Sequence, residues 1–140
     1  RDRSVSRGLG DVYKRQIEDC YNANPDSMKA ALAMFREYPC KRRFALLGDM
    51  LELGDISRAA HEEVGRQAVE NKVDYLVTYG EQAKRIAVVA AAKGLPTLHA
   101  DTYAQAAEAL LNKMQPGDAL LVKASRGMAL EKVLEIFYKE

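Results

Sequence analysis

The chain has 140 residues, of which 48% are hydrophobic and 29% charged, and its formal net charge is +1. This length favours a single domain, and this composition is typical of soluble globular proteins. The near-neutral charge gives no indication of a nucleic-acid partner or of a membrane surface. The longest apolar run, residues 86–92, is far shorter than the ~20 residues of a membrane span, and there is no secretory signal. We therefore expect a cytoplasmic protein without a membrane span.

Residues 1–16 differ from the rest of the chain. They carry five basic and two acidic side chains, and their few apolar residues follow neither a helical nor a strand period. Gly8-Leu9-Gly10 begins like a dinucleotide-binding GxGxxG motif, but Tyr13 stands at the third glycine position and no strand precedes it. We interpret residues 1–16 as a non-native or disordered flank rather than a basic arm, and residues 17–140 as the domain.

Strand and helix patterns alternate along the domain. Strands are predicted at 16–20, 44–47, 75–78, 97–99 and 119–122, and helices are predicted to begin near residues 25, 57, 81, 102 and 128. Asn24, Ser57 and either Asp101 or Thr102 have the residue types of helix N-caps. Such alternation predicts an α/β, Rossmann-like fold with a mostly parallel sheet of about five to six strands and helices on both faces.

Ligands of such folds bind beyond the carboxyl ends of the strands. The loops at 19–27, 48–56 and 123–127 carry informative polar residues at these ends, whereas the loops after the third and fourth strands are plainer. These three loops are therefore the candidate sites.

The loop 19–27 has the chemistry of a nucleoside site. The Asp19 carboxylate could accept hydrogen bonds from ribose hydroxyls, the Tyr21 ring could stack on a base, and Asn22 or Asn24 could pair with an adenine edge. The same residue types also suit an ordinary strand-to-helix turn, in which Asn and Asp cap the helix. The residues alone leave both interpretations open.

The loop 48–56 is acidic. Asp49 and Glu52 could hold Mg²⁺ or an ammonium group, or could belong to a solvated loop. His61-Glu62-Glu63 begins like the zinc motif HExxH, but Gly65 occupies the second histidine position, so no zinc site is expected.

The loop 123–127 is basic. Lys123, Ser125 and Arg126 stand just before a helix, where they could bind a phosphate or carboxylate or could simply be surface charge. The chain has no GxxxxGK[ST] phosphate loop and no persuasive nucleophile–base pair. The residues by themselves predict binding rather than catalysis.

Together, the three loops resemble a known family. The segments YNANPDSM (21–28), LGDMLELG (47–54, followed by His61) and VKASRGM (122–128, followed by Glu131) resemble motifs of the Mur ligases in both order and spacing. The resemblance covers about residues 17–140, and it implies the carboxy-terminal domain of a three-domain bacterial enzyme of peptidoglycan synthesis, hence of cell-wall biogenesis, cell shape and division. Within the family, the motifs best match the member that adds D-alanyl-D-alanine to UDP-N-acetylmuramoyl-tripeptide, an ATP-dependent, ADP-forming carboxylate–amine ligase.

The resemblance also implies roles for individual residues. Asp19 matches an acidic residue that faces the ATP ribose, and Tyr21, Asn22 and Asn24 match the loop beside adenine. The residues that match the side facing the incoming amine and the acyl phosphate are Asp49, Lys123, Ser125 and Arg126. Ala124 stands where the family usually has glycine, and Cys20 where serine is common.

The resemblance further implies that the ATPase domain, with its phosphate loop and Mg²⁺ ligands, lies upstream. We therefore expect ATP and Mg²⁺ as cofactors, with Mg²⁺ held in that central domain, and no ligase activity from this fragment alone. Two alternatives remain: a fragment of a related ligase, such as another Mur enzyme or a folylpolyglutamate synthase, or a stand-alone nucleotide-binding or regulatory module.

Overall fold

The computed structural model describes the strand at residues 15–19 and residues 23–139. Across these ranges five strands alternate with five helices, as predicted. The strands are β1 (Arg15–Asp19), β2 (Arg43–Gly48), β3 (Tyr75–Tyr79), β4 (Thr97–Ala100) and β5 (Ala119–Lys123). The helices are α1 (Pro25–Arg36), α2 (Ser57–Glu70), α3 (Lys84–Ala92), α4 (Tyr103–Lys113) and α5 (Glu131–Lys139), and 3₁₀ turns at Gly54–Ile56 and Arg126–Met128 precede α2 and α5.

The strands form one parallel sheet in the order β1-β5-β2-β3-β4. The predicted Rossmann-like α/β fold is thus confirmed, with five strands in the described part of the chain. Strand β1 begins at Arg15, within the segment 1–16. Residues 1–14 and 20–22 lie outside the described residues, so the boundary of the flank stays a prediction.

Strand alternation divides the core into two layers. Strand β2 directs Ala45 and Leu47 into the layer formed with α1, α2 and α3. It directs Phe44 and Leu46 into the opposite layer, formed with α4 and α5. Because successive side chains of a strand point to opposite faces, a strand buried on both sides reads as a continuous apolar run. The prediction of helices on both faces is confirmed.

Helix α1 follows its predicted cap. The Asn24 Oδ1 accepts a hydrogen bond from the Ser27 N–H (2.8 Å), and the Ser27 Oγ accepts one from the Asn24 N–H (2.9 Å), which is a capping box. Pro25 occupies the first turn. The predicted apolar stripe is buried, and it consists of Met28, Ala31, Leu32 and Phe35.

Three predictions at helix starts are wrong. Helix α5 begins at Glu131 rather than near residue 128, because residues 126–128 form a 3₁₀ turn and Ala129 has a positive φ of 52°. Ser57 does not cap α2, because the 3₁₀ turn leads straight into the helix and Ile56 is the N-cap without a side-chain bond. Helix α3 begins at Lys84 rather than near residue 81. The intervening turn is held from outside the helix, since the Asp49 Oδ1 accepts the Ala83 N–H at 2.7 Å. Thr102, by contrast, caps α4 as expected, through the Gln105 N–H.

Gly80 ends β3 at a place where only glycine fits. Its φ is +119°, and a Cβ atom there would overlap the Asp49 carboxylate and lie 2.6 Å from the Met128 Cε. Gly94, which follows α3, also has positive φ (+95°), but nothing lies within 4 Å of a Cβ added there. Comparing substitutions at these two glycines therefore separates the energetic cost of the backbone conformation from the cost of steric crowding.

At the amino ends of the strands, a buried carboxylate joins the segments that precede β2 and β5. Asp118 is 1% exposed, and its Oδ2 accepts hydrogen bonds from the Arg42 Nη2 (2.8 Å) and the Gln115 N–H (2.7 Å). Arg42 also donates to the Lys113 carbonyl (2.8 Å). The pKa of Arg42 is raised, chiefly by its hydrogen bond with Asp118.

We predict that Gly80→Ala lowers the free energy of unfolding by about 2–4 kcal/mol, because a strained φ and a steric overlap add together. Gly94→Ala serves as the control and should cost only about 1 kcal/mol, the conformational part alone. Urea unfolding of the two variants measures the difference. Equal losses would show that Gly80 is required for its backbone conformation only.

We predict that Asp118→Ala lowers the free energy of unfolding by about 2 kcal/mol, because it leaves the Gln115 N–H and the Arg42 guanidinium without their acceptor. The matched control is Glu62→Ala, which removes an exposed ion pair with Arg58 on α2 and should cost less than about 0.5 kcal/mol. Thermal or urea unfolding distinguishes the two, and comparable losses would contradict a structural role for the Asp118 contacts.

Candidate functional site

The three candidate loops start from adjacent strands at one edge of the sheet. In the parallel register, Lys123 of β5 lies between Asp19 of β1 and Leu47 of β2. The loops that follow these strands therefore leave the sheet side by side. The expectation that they share one edge is confirmed by the sheet itself.

Ser125 joins these loops directly. Its N–H donates to the Asp49 carbonyl (2.9 Å), and its Oγ accepts the Leu51 N–H (2.8 Å), so the loops after β5 and β2 are joined twice. Its hydroxyl also donates to the Ala23 carbonyl at 3.4 Å, next to the N-cap of α1. One residue thus contacts all three segments that the sequence singles out.

Among the predicted nucleotide-binding residues, Asn24 is the one whose side chain is described. Its Oδ1 is occupied by the cap of α1, so the Nδ2 amide is the part that remains for a base edge. Asp19 ends strand β1, and Tyr21 and Asn22 lie outside the described residues. The adenosine-facing role of these four residues stays a prediction.

Asp49, predicted to face the substrate, is only 5% exposed. Its Oδ1 accepts the Ala83 N–H and so serves as the acceptor at the start of α3, where an anion is favoured by the exposed amides and the helix dipole. Gly80 gives the carboxylate room. Asp49 therefore connects the end of β2 to the turn that follows β3. Its contact with a substrate stays a prediction.

His61 holds the same loop from α2. The ring is fully buried; its Nε2 accepts the Met50 N–H (3.0 Å), and its Nδ1 lies 2.6 Å from the Ser57 carbonyl. Because Nε2 accepts from an amide, the proton must be on Nδ1, which donates to that carbonyl. The sequence indicated only a helical histidine. Its position four residues after Ser57, on one helix face, was the available signal for this role.

The basic loop separates into a buried and an exposed cation. Lys123 is fully buried at the end of β5, whereas Arg126 is exposed on the 3₁₀ turn Arg126–Met128. The Tyr103 hydroxyl donates to the Met128 carbonyl (2.9 Å), and its ring stacks on Tyr79 at 4.8 Å between centroids. Burial raises the pKa of Tyr103, so this hydroxyl keeps its proton. Of the two predicted anion-binding cations, Arg126 is the one at the surface.

A cleft lies beyond β3 and β4, where the sequence looked plainer, and Met128 of the 3₁₀ turn after β5 also lines it. It has a volume of about 290 Å³, and Gly80 and Met128 connect it to Asp49. Its polar lining residues are Tyr79, Glu81, Lys84, His99 and Asp101. The His99 Nδ1 lies 2.7 Å from the Thr78 Oγ1, and burial lowers the pKa of the imidazole, which favours its neutral form. Sequence analysis missed this cleft because its residues come from three separate loops.

Within residues 23–139, no group of three His, Cys, Asp or Glu side chains is placed to hold a metal ion. No helix of the described chain is long and apolar enough to cross a membrane.

Curated proteins are similar to this chain in sequence. The UDP-N-acetylmuramoyl-tripeptide–D-alanyl-D-alanine ligase of Bacillus subtilis is 37% identical over 85% of this chain, and the Mycobacterium tuberculosis (H37Rv) protein of that name is 39% identical over 85%. The chain spans about a quarter of these relatives, 27% and 28% of their lengths.

A solved structure shows the same fold. MurF ligase from Thermotoga maritima, in complex with ADP, superposes with a TM-score of 0.78 at 28% identity, covering 96% of this chain and 30% of that one. The family described as "Mur ligase, glutamate ligase domain" matches residues 9–126, which is most of the chain. The chain therefore belongs to the Mur ligase family, as its glutamate ligase domain.

Proposed function

We propose that this chain is the carboxy-terminal part of a cytoplasmic, ATP-dependent ligase that joins D-alanyl-D-alanine to UDP-N-acetylmuramoyl-tripeptide in peptidoglycan synthesis. The two curated relatives described above bear the name of this activity. The chain corresponds to about a quarter of each, so the reaction belongs to the longer protein.

The observation that carries this proposal is the contact of Ser125 with Asp49, Leu51 and Ala23. It brings the loop proposed to face adenosine and the two loops proposed to face the amine and the acyl phosphate onto one edge. A single surface with both chemistries suits a reaction in which a nucleotide and an amine must meet.

On this proposal the domain orients its ligands and excludes water. The loop 19–27 would hold adenosine with Asp19, Tyr21, Asn22 and Asn24. The exposed guanidinium of Arg126 is suited to a phosphate or carboxylate group, which it can bind in a bidentate manner. ATP, when bound, supplies the phosphoryl group that activates the peptide carboxylate.

Mg²⁺ is the second expected cofactor. The described residues contain no cluster of carboxylates and histidines that fits a cation. As the family resemblance implies, its ligands would lie in the upstream part of the ligase, and no step of this domain depends on them.

We predict that the 140-residue chain alone releases no phosphate above background when supplied with ATP, Mg²⁺, UDP-N-acetylmuramoyl-tripeptide and D-alanyl-D-alanine. The reason is that the phosphate-binding loop of the ligase is expected in the upstream ATPase domain. The full-length ligase is the positive control and should release phosphate only when all substrates are present. Turnover by the chain itself would contradict the proposed division of labour.

The amine substrate is tested in the full-length ligase. D-alanyl-D-alanine should support phosphate release, and D-glutamate in its place should not. Turnover with D-glutamate alone would instead indicate a different ligase of the same family.

A further inference from the structure

We propose that Ser125 is a positioning residue that fixes the adenosine-facing loop to the amine-facing loops, and that it does not itself bind the substrate. The proposal rests on the proposed function for its kinetic consequence. The contacts that suggest it lie wholly within the domain.

Every polar group of Ser125 is engaged inside the chain. The N–H donates to the Asp49 carbonyl, and the carbonyl accepts the Met128 N–H (2.9 Å), which closes the 3₁₀ turn that carries Arg126. The Oγ accepts the Leu51 N–H and donates to the Ala23 carbonyl. A serine hydroxyl has one hydrogen, so donation to a substrate anion would require release of the Ala23 carbonyl.

The Ser125 hydroxyl is the side-chain group in this network that contacts both the loop after β2 and the segment before α1. Without it, the Leu51 N–H and the Ala23 carbonyl lose their shared partner, although the backbone bond to Asp49 persists. The segment next to Asn24 and the loop after β2 would then lose the polar contact that couples them, although Ala23 and Met50 still pack in the same core layer. Because the loops are proposed to face different ligands, loss of the hydroxyl should weaken the binding of both ligands rather than of one.

The kinetic test uses the full-length ligase with Ser125→Ala, Ser125→Thr and, as control, Thr102→Ala. Ser125→Ala should raise the KM for ATP and the KM for D-alanyl-D-alanine together, each by about fivefold, the value of one hydrogen bond. Ser125→Thr keeps the hydroxyl and should restore both constants to within about twofold of wild type. Thr102→Ala removes the cap of α4, costs about 1 kcal/mol of stability, and should leave both constants unchanged.

A rise in the KM for D-alanyl-D-alanine alone, with an unchanged KM for ATP, would show that Ser125 contacts the substrate and would overturn the proposal. Failure of the threonine variant to restore the constants would also overturn it, provided that variant unfolds at the wild-type urea concentration.

A second measurement needs no ligase activity. In the 140-residue chain, Ser125→Ala should speed hydrogen exchange of the Leu51 amide and shift the Asn24 amide resonance, whose peptide group includes the Ala23 carbonyl. Unchanged exchange and shift would overturn the inference even if the ligase proves active. If both change while the full-length ligase fails with D-alanyl-D-alanine, the proposed function fails and the loop coupling stands.

Discussion

Parallel pairing of β5 between β1 and β2 is the constraint on which the site depends. In a parallel sheet every strand ends at the same edge, so residues far apart in sequence reach that edge together. Lys123 stands beside Asp19 and Leu47 in the register, about a hundred residues from the first of them in the chain. A one-residue slip of β5 would turn its side chains to the other layer of the core, and Ser125 would lose its contacts. The burial of β5 side chains on both faces of the sheet therefore fixes the register of the strand, and with it the positions of the loops.

The polar groups at this edge are satisfied mainly by one another. Asp49 braces the start of α3, His61 accepts the Met50 N–H, and Ser125 accepts the Leu51 N–H. The Met50 and Ala83 amides lie in loops without a regular ladder and their bonds are buried, so leaving either amide unpaired would cost about 1–3 kcal/mol. Residues of the motifs that mark the family thus stabilise the loops through their own hydrogen bonds, without any ligand. A substitution in them is therefore expected to lower stability, and a control variant is needed to separate this loss from any effect on ligand binding.

The sequence predicts the fold well because the fold depends on local signals. The apolar runs of β2 and β5, the Asn24–Pro25 helix start and the stripe at Met28 all have their effect within a few residues. The wrong helix starts have the opposite cause: the turn before α3 is held by Asp49, 34 residues away, and no local pattern encodes that bond. The cleft beside His99 was missed for the same reason, because its lining comes from three separate loops. The substrate-facing role predicted for Ser125 stays a prediction, and its partners Asp49, Leu51 and Ala23 could not be read from spacing.

The distribution of buried and exposed charge indicates how the domain can act on ligands. Lys123 and Asp49 are buried, whereas Arg126 is exposed on a short turn. That turn is closed by the Ser125 carbonyl, and its Met128 carbonyl accepts a hydrogen bond from the Tyr103 hydroxyl. The backbone that carries the exposed Arg126 side chain is therefore held by two hydrogen bonds. A pre-positioned cation costs less conformational entropy on binding than one on a mobile loop. On the proposed function, this hydrogen-bonded turn would lower the entropic cost of binding an anion at Arg126, a contribution that does not require a phosphate-binding loop.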